Sequence, residues 1–243
     1  MLGLPDDITA LLFDLDGVLT PTAKIHFKAW KQTFDEFLRE REGESFHEFT
    51  QEDYNNYVDG MSRFDGVRTF LQSREITLPD GAEDDATGKG EQATVHGIGN
   101  RKNQLVLELI EKDGVEPYEG SLQFVKAAQE AGLARAVVSA SANCRPVLRS
   151  AGIEDLFDAI IDGEVASEEH LQGKPHPDTY LAGARALGVD PTVAAVFEDA
   201  TAGVQAGHEG HFGYVVGVDR VDHADALRAH GADVVVKDLG DLL

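Results

Sequence analysis

The chain has 243 residues, of which 42% are apolar, and its 44 acidic and 21 basic side chains give a formal net charge of −23. This composition excludes a disordered or fibrous protein, and no apolar run approaches the roughly 20 residues that span a bilayer. The negative charge disfavours nucleic acid and anionic membranes as partners, and the single cysteine, Cys144, excludes an internal disulfide. Residues 1–10 lack the basic region of a signal peptide, so we expect a cytoplasmic protein.

The first predicted element is a buried strand over residues 8–13, an apolar run typical of the inside of a parallel sheet. Residues 22–112 then show helical periodicity without a convincing strand. Helices are expected along the apolar face that begins at Ile25 and near residues 52–58, 66–72 and 103–110. Residues 78–99 are rich in Gly, Asp and Glu and predict a mobile surface loop. The stretch therefore predicts a helical domain inserted after the first strand.

From residue 116 onward, predicted strands alternate with short helices. The strands are expected over residues 134–139, 159–162, 193–197, 214–218 and 234–236, and the helices over residues 144–150, 178–187, 202–208 and 222–230. This alternation predicts parallel βαβ units with helices on both faces of the sheet. We therefore expect an α/β fold, a doubly wound parallel sheet with a Rossmann-like core over residues 1–20 and 114–243, and an inserted α-helical cap domain over residues 21–113.

Two carboxylates, Asp14 and Asp16, follow the first predicted strand and precede Gly17. Side chains repeat every second residue along a strand, so both carboxylates leave it on the same side. Such a pair is suited to binding a hard cation and attacking phosphorus, although the same residues alone also suit a simple acidic turn. We expect Asp14 to be a nucleophile that becomes an aspartyl phosphate, and Asp16 to be the general acid and base.

Polar groups also follow the next predicted strands, at the edge where open parallel sheets bind ligands. We expect the Ser139 hydroxyl and the backbone N–H of Ala140 to donate hydrogen bonds to a transferring phosphoryl group. Lys174, in a later loop, is expected to neutralise charge between the nucleophile and that group. The simpler alternatives are a strand-end cap for Ser139 and a surface position for Lys174.

A second acid pair, Glu198 and Asp199, follows the strand predicted over residues 193–197. We expect Asp199, with Glu198, to hold Mg²⁺ together with Asp14 and the backbone carbonyl of Asp16, because this ion prefers oxygen ligands and keeps several waters. A helix N-cap is the structural alternative for Asp199. Mg²⁺ is therefore the cofactor that the sequence predicts.

Four motifs carry these groups and occur in order along nearly the whole chain: Asp14-Leu15-Asp16-Gly17-Val18, Val138-Ser139-Ala140-Ser141, Gly173-Lys174-Pro175-His176-Pro177-Asp178 and Phe197-Glu198-Asp199-Ala200. In this respect the chain resembles the haloacid dehalogenase superfamily of phosphotransferases. A helical insertion directly after the first motif looks like the subfamily with an α-helical cap.

A closer likeness is to the β-phosphoglucomutase family, which interconverts β-glucose 1-phosphate and β-glucose 6-phosphate through a bisphosphate. The matching cap segments are Thr22-Ala23, His26-Phe27, Ala29-Trp30-Lys31, Arg63 and Arg101-Lys102-Asn103. The resemblance implies that Thr22 and His26 link substrate binding to the placement of Asp16.

The same resemblance implies that Arg63, Ser141 and Asn143 bind the non-transferring phosphate and that Lys102 lies near the sugar hydroxyls. Trp30 is a candidate substrate platform, with a core position as its alternative. Each of the other cap residues has a structural alternative as well, namely a polar helix position for His26 and surface positions for Arg63 and Lys102.

Two departures from the family concern the cap. Pro21 stands where the family has an acidic residue, which predicts a stiffer hinge. The long segment 78–99 leaves the sugar open, so another hexose phosphate or a disaccharide phosphate is an alternative substrate.

Three functions compete on these observations. The first is a Mg²⁺-dependent hexose-phosphate mutase, the second a sugar-phosphate phosphatase, and the third a non-catalytic phosphosugar-binding protein. A histidine and an arginine in the cap favour the mutase, which must bind a bisphosphate in both orientations. The expected partner is a small phosphorylated sugar, and the expected state is a monomer.

Overall fold

A computed structural model describes residues 2–85 and 92–243 of the chain. The contacts within it divide the chain into two compact units, one formed by Met1–Thr22 with Val115–Leu243 and the other by Ala23–Gly114. The sequence had placed these two boundaries after residues 20 and 113. No described helix combines the length and apolar character that crossing a membrane requires.

The discontinuous unit contains a parallel sheet, which confirms the predicted α/β fold. Its described strands are β1 (Ala10–Phe13), β2 (Ala134–Val138), β3 (Ala159–Ile161), β4 (Ala194–Glu198), β5 (Tyr214–Val218) and β6 (Val234–Val236). They are arranged in the order β3-β2-β1-β4-β5-β6, and every neighbouring pair is parallel. This order places the carboxyl ends of β2, β1 and β4 side by side.

The central strand β1 is fully buried. Phe13 pairs in register with Val137 on one side and Phe197 on the other, and its ring stacks on the Phe197 ring with a centroid distance of 4.6 Å. Layers on both faces of the sheet exclude water, which explains why β1 is apolar throughout rather than alternating. The chain leaves this rigid strand directly into Asp14.

The helical unit consists of α1 (Ala23–Glu42), α2 (Gln51–Tyr57), α3 (Arg63–Ser73) and α4 (Val95–Asp113) among its described elements. An aromatic core joins α1 to α3, since the Phe34 ring lies 4.9 Å from Trp30 and 4.2 Å from Phe70. The four predicted helices are present; α1, α3 and α4 extend beyond their predicted bounds, whereas α2 begins and ends one residue earlier than predicted.

The prediction of a surface loop over residues 78–99 is wrong for its last five residues, which form the start of α4. The Thr94 hydroxyl accepts a hydrogen bond from the Gly97 N–H at 3.0 Å, so α4 begins at Val95. Val95 and Ile98 are buried in the core of the unit. The predicted mobility concerns in part residues 86–91, which lie outside the described residues.

Six described helices accompany the sheet: α5 (Glu119–Glu130), α6 (Cys144–Ser150), α7 (Gly163–Glu168), α8 (Asp178–Leu187), α9 (Thr201–Glu209) and α10 (Ala224–Ala229). The sequence analysis missed α5 and α7. The buried Phe124, Val125 and Ala128 give α5 a helical spacing that could have revealed it. The short α7 is started by the Asp162 carboxylate, which accepts hydrogen bonds from the N–H groups of Glu164 and Val165.

Candidate active site

A buried lysine joins the ends of three neighbouring strands. Lys174 Nζ donates hydrogen bonds to Asp14 Oδ1 at 2.6 Å, to Glu198 Oε1 at 2.5 Å and to the Val138 carbonyl at 3.2 Å. The exposed fractions are 5% for Lys174, 7% for Asp14 and 1% for Glu198. The surface alternative for Lys174 is therefore wrong, and the residues predicted at these strand ends do come together.

The charges of this cluster are unbalanced, since two carboxylates share one ammonium group. Burial raises the pKa of Asp14 well above its usual range, and the nearby Glu198 and Asp16 charges add to the rise against the opposing effect of Lys174. Burial alone would lower the pKa of Lys174, but Asp14 and Glu198 outweigh it and raise that pKa. Lys174 therefore stays charged, and the surplus negative charge favours a bound cation.

A third carboxylate completes a set of oxygens that could hold a metal ion. One oxygen from each of Asp14, Glu198 and Asp199 lies within 4.8 Å of the others. Three carboxylates fit Mg²⁺, which is held by a few oxygens and keeps water at its remaining positions. Helix α9 begins at Thr201 with Ala200 as its N-cap residue, so Asp199 lies one residue before the N-cap position.

Two glycines make room for these carboxylates. A Cβ atom at Gly17 would lie 1.6 Å from Asp199 Oδ2, and the residue has a φ of +83° that favours glycine. A Cβ atom at Gly203 would lie 1.7 Å from Glu198 Oε1. The second carboxylate oxygen of Glu198 accepts a hydrogen bond from the Ala200 N–H at 3.0 Å. Backbone close to the acids thus fixes their orientation.

Asp16 is half-buried and oriented by threonines. The Thr22 hydroxyl donates to Asp16 Oδ1, and the Thr20 hydroxyl lies 2.7 Å from the Thr22 hydroxyl. Because the single Thr22 hydrogen goes to Asp16, Thr20 donates to Thr22. The side chain of Asp16 is outside the metal-ligating set, which leaves its backbone carbonyl as the group predicted to reach the metal.

A tight loop after β2 carries the predicted phosphate-binding groups. The Ser139 hydroxyl accepts a hydrogen bond from the Ser141 N–H at 3.1 Å, and the Ser141 hydroxyl accepts one from the Asn143 N–H at 3.1 Å. Each hydroxyl thus retains its own hydrogen as a donor. Ser139 thus makes the strand-end contact that was its structural alternative, and its hydroxyl hydrogen stays available to a ligand.

In the helical unit, His26 and Lys102 form a buried pair. Lys102 Nζ lies 2.9 Å from His26 Nδ1 and 4.7 Å from the centroid of the Trp30 ring. An ammonium group has no lone pair, so Lys102 donates, and neutral His26 carries its proton on Nε2. The surface alternative for Lys102 is therefore wrong. Trp30 is buried and stacked on Phe34, which matches its core alternative.

Arg63 is the first residue of α3, after the N-cap Ser62. Its guanidinium carbon lies 4.8 Å from the centroid of the Phe64 ring, and burial lowers the pKa of its side chain. A Cβ atom at Gly99 would lie 3.2 Å from Arg63 Cγ, so α3 and α4 pack closely around it. Arg63 is half-buried rather than a freely exposed arginine.

Comparison with known proteins identifies the family. The sequence model described as haloacid dehalogenase-like hydrolase matches residues 8–211. The chain belongs to the haloacid dehalogenase-like hydrolases. The predicted membership is confirmed, the protein is an enzyme, and the alternative of a non-catalytic binding protein is wrong.

Named relatives of this haloacid dehalogenase-like hydrolase are similar over at least 96% of its length. A β-phosphoglucomutase of Mycobacterium tuberculosis (strain CDC 1551 / Oshkosh) is 51% identical over 250 residues, covering 100% of this chain and 94% of the relative. A β-phosphoglucomutase of Bacillus subtilis (strain 168) is 33% identical and covers 96% of this chain and 91% of the relative. The crystal structure of a β-phosphoglucomutase from Clostridium difficile aligns with a TM-score of 0.76 and 26% identity over 97% of this chain and 93% of that one.

One member of the buried cluster in this haloacid dehalogenase-like hydrolase was missed by the sequence analysis. Tyr180 in α8 is fully buried, and its hydroxyl donates to Glu198 Oε1 at 3.1 Å. Its ring lies 4.8 Å from Lys174 Nζ, within the range of a cation–π contact. A buried tyrosine six residues after a predicted catalytic lysine, on the first turn of a helix, was the available signal.

Proposed function

We propose that the enzyme is a Mg²⁺-dependent β-phosphoglucomutase, which converts β-glucose 1-phosphate to glucose 6-phosphate through the 1,6-bisphosphate and a phospho-Asp14 intermediate. The observation that carries this proposal is the buried contact of Lys174 with both Asp14 and Glu198, in a chain 51% identical over its length to a relative of that name. A cytoplasmic location and a monomeric state stay predictions of the sequence.

Asp14 is proposed to attack phosphorus. A bond forms between a carboxylate oxygen of Asp14 and phosphorus while the bond from phosphorus to the leaving sugar oxygen breaks, and that oxygen takes a proton from Asp16. In the reverse transfer the attacking sugar hydroxyl gives its proton to Asp16 and receives the phosphoryl group from Asp14. The hydrogen bond from Thr22 keeps the Asp16 carboxylate in one orientation for both steps.

Charge on the transferring group is opposed by donors at neighbouring strand ends. The Lys174 ammonium group touches the nucleophile itself, and the Ser139 hydroxyl and the Ala140 N–H supply hydrogen bonds to phosphoryl oxygens. Asp14, Glu198, Asp199 and the Asp16 carbonyl would hold Mg²⁺. When bound, this ion supplies positive charge near the phosphoryl oxygens.

The non-transferring phosphate is proposed to bind Arg63, Ser141 and Asn143. A mutase must hold a bisphosphate in either orientation, so a second set of anion-binding groups is needed. The Ser141 hydroxyl retains a hydrogen to donate, and the guanidinium group of Arg63 offers a planar pair of donors. His26 presents an Nε2 donor fixed by Lys102, and we propose that this pair binds the sugar.

A phosphatase is the second candidate, because the matching family is described as a hydrolase. In that reaction water, rather than a sugar hydroxyl, takes the phosphoryl group from Asp14. The two functions share the first chemical step and differ only in the acceptor, so the Asp14 cluster supports both.

A coupled assay separates the two candidates. The enzyme is supplied with β-glucose 1-phosphate, Mg²⁺ and a trace of β-glucose 1,6-bisphosphate, and glucose 6-phosphate and free phosphate are followed in parallel. The mutase predicts fast isomerisation with little free phosphate, and the Asp14→Asn variant should show neither. Release of phosphate without isomerisation would establish the phosphatase instead. An active Asp14→Asn variant would rule out Asp14 as the nucleophile.

A further inference from the structure

An arginine two residues beyond β5 is bonded to the loop that carries Asp14 and Asp16. Arg220 Nε donates a hydrogen bond to the carbonyl oxygen of Gly17 at 2.8 Å. Gly17 is the residue directly after Asp16, at the turn that follows β1. The contact therefore ties the end of β5 to the proposed catalytic loop within one compact unit.

The guanidinium group of Arg220 is also held at its Nη1 atom and across one face. It lies 3.8 Å from the centroid of the Tyr118 ring, and its Nη1 donates to the Lys237 carbonyl and to Asp238 Oδ2, each at 2.9 Å. The side chain is 17% exposed. A planar guanidinium group offers its donors in a fixed fork and stacks its flat face on an aromatic ring, a geometry that the compact charge of an ammonium group does not reproduce.

Gly17 itself lies between Arg220 and a proposed metal ligand. Arg220 bonds to its carbonyl, and its Cα approaches Asp199 so closely that a Cβ atom would lie 1.6 Å from Asp199 Oδ2. A shift of the Gly17 backbone would therefore change the distance to Asp199 and, through the chain, the position of Asp16. The Gly17 backbone lies directly against the Asp199 carboxylate, with no side chain between them.

We propose that Arg220 is a positioning residue for phosphoryl transfer, which holds the Gly17 carbonyl so that Asp16 and Asp199 keep their spacing. This role rests on the proposed function of Asp14, Asp16 and Asp199. Arg220 acts through the backbone and does not itself touch the transferring group. Side chains that orient the ligands or catalytic groups of a metal site affect its affinity or activity by about 10- to 100-fold.

The test compares Arg220→Lys with a matched variant, Arg135→Lys. Arg135 is also a buried guanidinium group bonded to backbone carbonyls, with Nε 2.7 Å from the Leu156 oxygen, but it lies near the start of β2, away from the site. Both variants keep the charge and lose the planar fork. Arg220→Lys should lower kcat about 10- to 100-fold with KM changed less than about twofold, whereas Arg135→Lys should lower only the melting temperature.

Two readouts keep this result separate from the identity of the substrate. Hydrolysis of p-nitrophenyl phosphate reports the Asp14 chemistry even if the enzyme does not isomerise β-glucose 1-phosphate. The dissociation constant for Mg²⁺, measured by titration calorimetry, should rise in Arg220→Lys and stay unchanged in Arg135→Lys. The proposal is overturned if the two variants have equal kcat per folded molecule, or if Arg220→Lys binds Mg²⁺ as the parent does.

Discussion

Asp16 accepts a hydrogen bond from the Thr22 hydroxyl, and its proposed role depends on a proton that it can give and take. The Asp16→Asn variant keeps the shape and the contact with Thr22 but cannot exchange that proton. We expect kcat to fall roughly 10²- to 10⁴-fold. Single-turnover kinetics of phosphoryl transfer would measure the loss, and a variant with the parental rate would remove Asp16 from the mechanism.

For Tyr180 the prediction concerns stability rather than rate, because this residue supports Glu198 and is not proposed to contact the substrate. Tyr180→Phe keeps the ring near Lys174 and removes only the hydroxyl bond to the buried carboxylate. A hydrogen bond to a charged group contributes about 1.5–3 kcal/mol, so the free energy of unfolding should fall by about that amount. Urea unfolding measures it, with Tyr214→Phe at the half-buried start of β5 as the control. An unchanged unfolding free energy would show that the hydroxyl does not support Glu198.

At the scale of single residues, the sequence predicts groups whose placement is local. Asp14, Ser139 and Asp199 leave the ends of adjacent parallel strands, so a strand assignment alone brings them together. Tyr180 and Arg220 depend on tertiary packing, and Arg220 meets Gly17 across 203 positions of sequence. Arg220 follows the strand predicted over residues 214–218, as Asp14, Ser139 and Asp199 follow theirs, and this position was the signal available in the sequence.

At the scale of elements, the loop after β2 depends on the start of α7. A Cβ atom at Gly163 would lie 2.7 Å from the Ala140 oxygen and 2.8 Å from the Ala142 nitrogen. These contacts are with backbone, which has no easy way to move aside, so a side chain at this position must displace the loop that carries Ser139.

Gly163→Ala should therefore lower kcat by more than any loss of folding stability would explain. A displacement of about 1 Å can cost on the order of 100-fold in rate, and we expect kcat to fall at least about tenfold. Gly3→Ala is the control, because the nearest atom to a Cβ there lies at 3.4 Å, an ordinary contact. Parental kcat in Gly163→Ala would mean that the loop tolerates the displacement.

Element types were easier to predict than element ends. The apolar run of β1 and the helical spacing of α1 are properties of the local sequence, and both were predicted. The start of α4 depends on the Thr94 hydroxyl, which lies inside a polar stretch that otherwise resembles a loop. A helix begins there despite the polar composition because Val95 and Ile98, which follow Thr94, are buried in the core of the unit.

At the scale of the whole molecule, the ends of β5 and β6 are joined by an ion pair with a consequence for acid stability. Asp219 accepts hydrogen bonds from Lys237 Nζ at 2.8 Å and from the His223 N–H at 2.8 Å. Burial would raise the pKa of Asp219, but these bonds and the Lys237 charge outweigh it and lower the pKa below its ordinary value of 3.8. The folded state thus favours the carboxylate form, which stabilises the protein above the ordinary pKa and is lost as the pH falls through the folded pKa.

Asp219→Asn should accordingly lower the unfolding free energy at pH 7, and the difference from the parent should shrink as the pH falls below about 4. Urea unfolding at pH 7, 5 and 3.5 measures this. Asp222→Asn is the control, since Asp222 pairs with the same lysine but is exposed. A difference that stays constant across this pH range would assign the effect to something other than ionisation of Asp219.

The position of β1 also bears on how the chain folds as it leaves the ribosome. This strand is made first, yet both of its neighbours, β2 and β4, are made only after the entire helical unit has been translated. The helical unit is contiguous, so it is free to fold while β1 still lacks a partner on either side. An apolar strand with two bare edges is prone to aggregate, which makes slow translation a hazard for this protein. The set of proposed metal ligands is complete only when Asp199 emerges, so the proposed catalytic site is among the last parts to form.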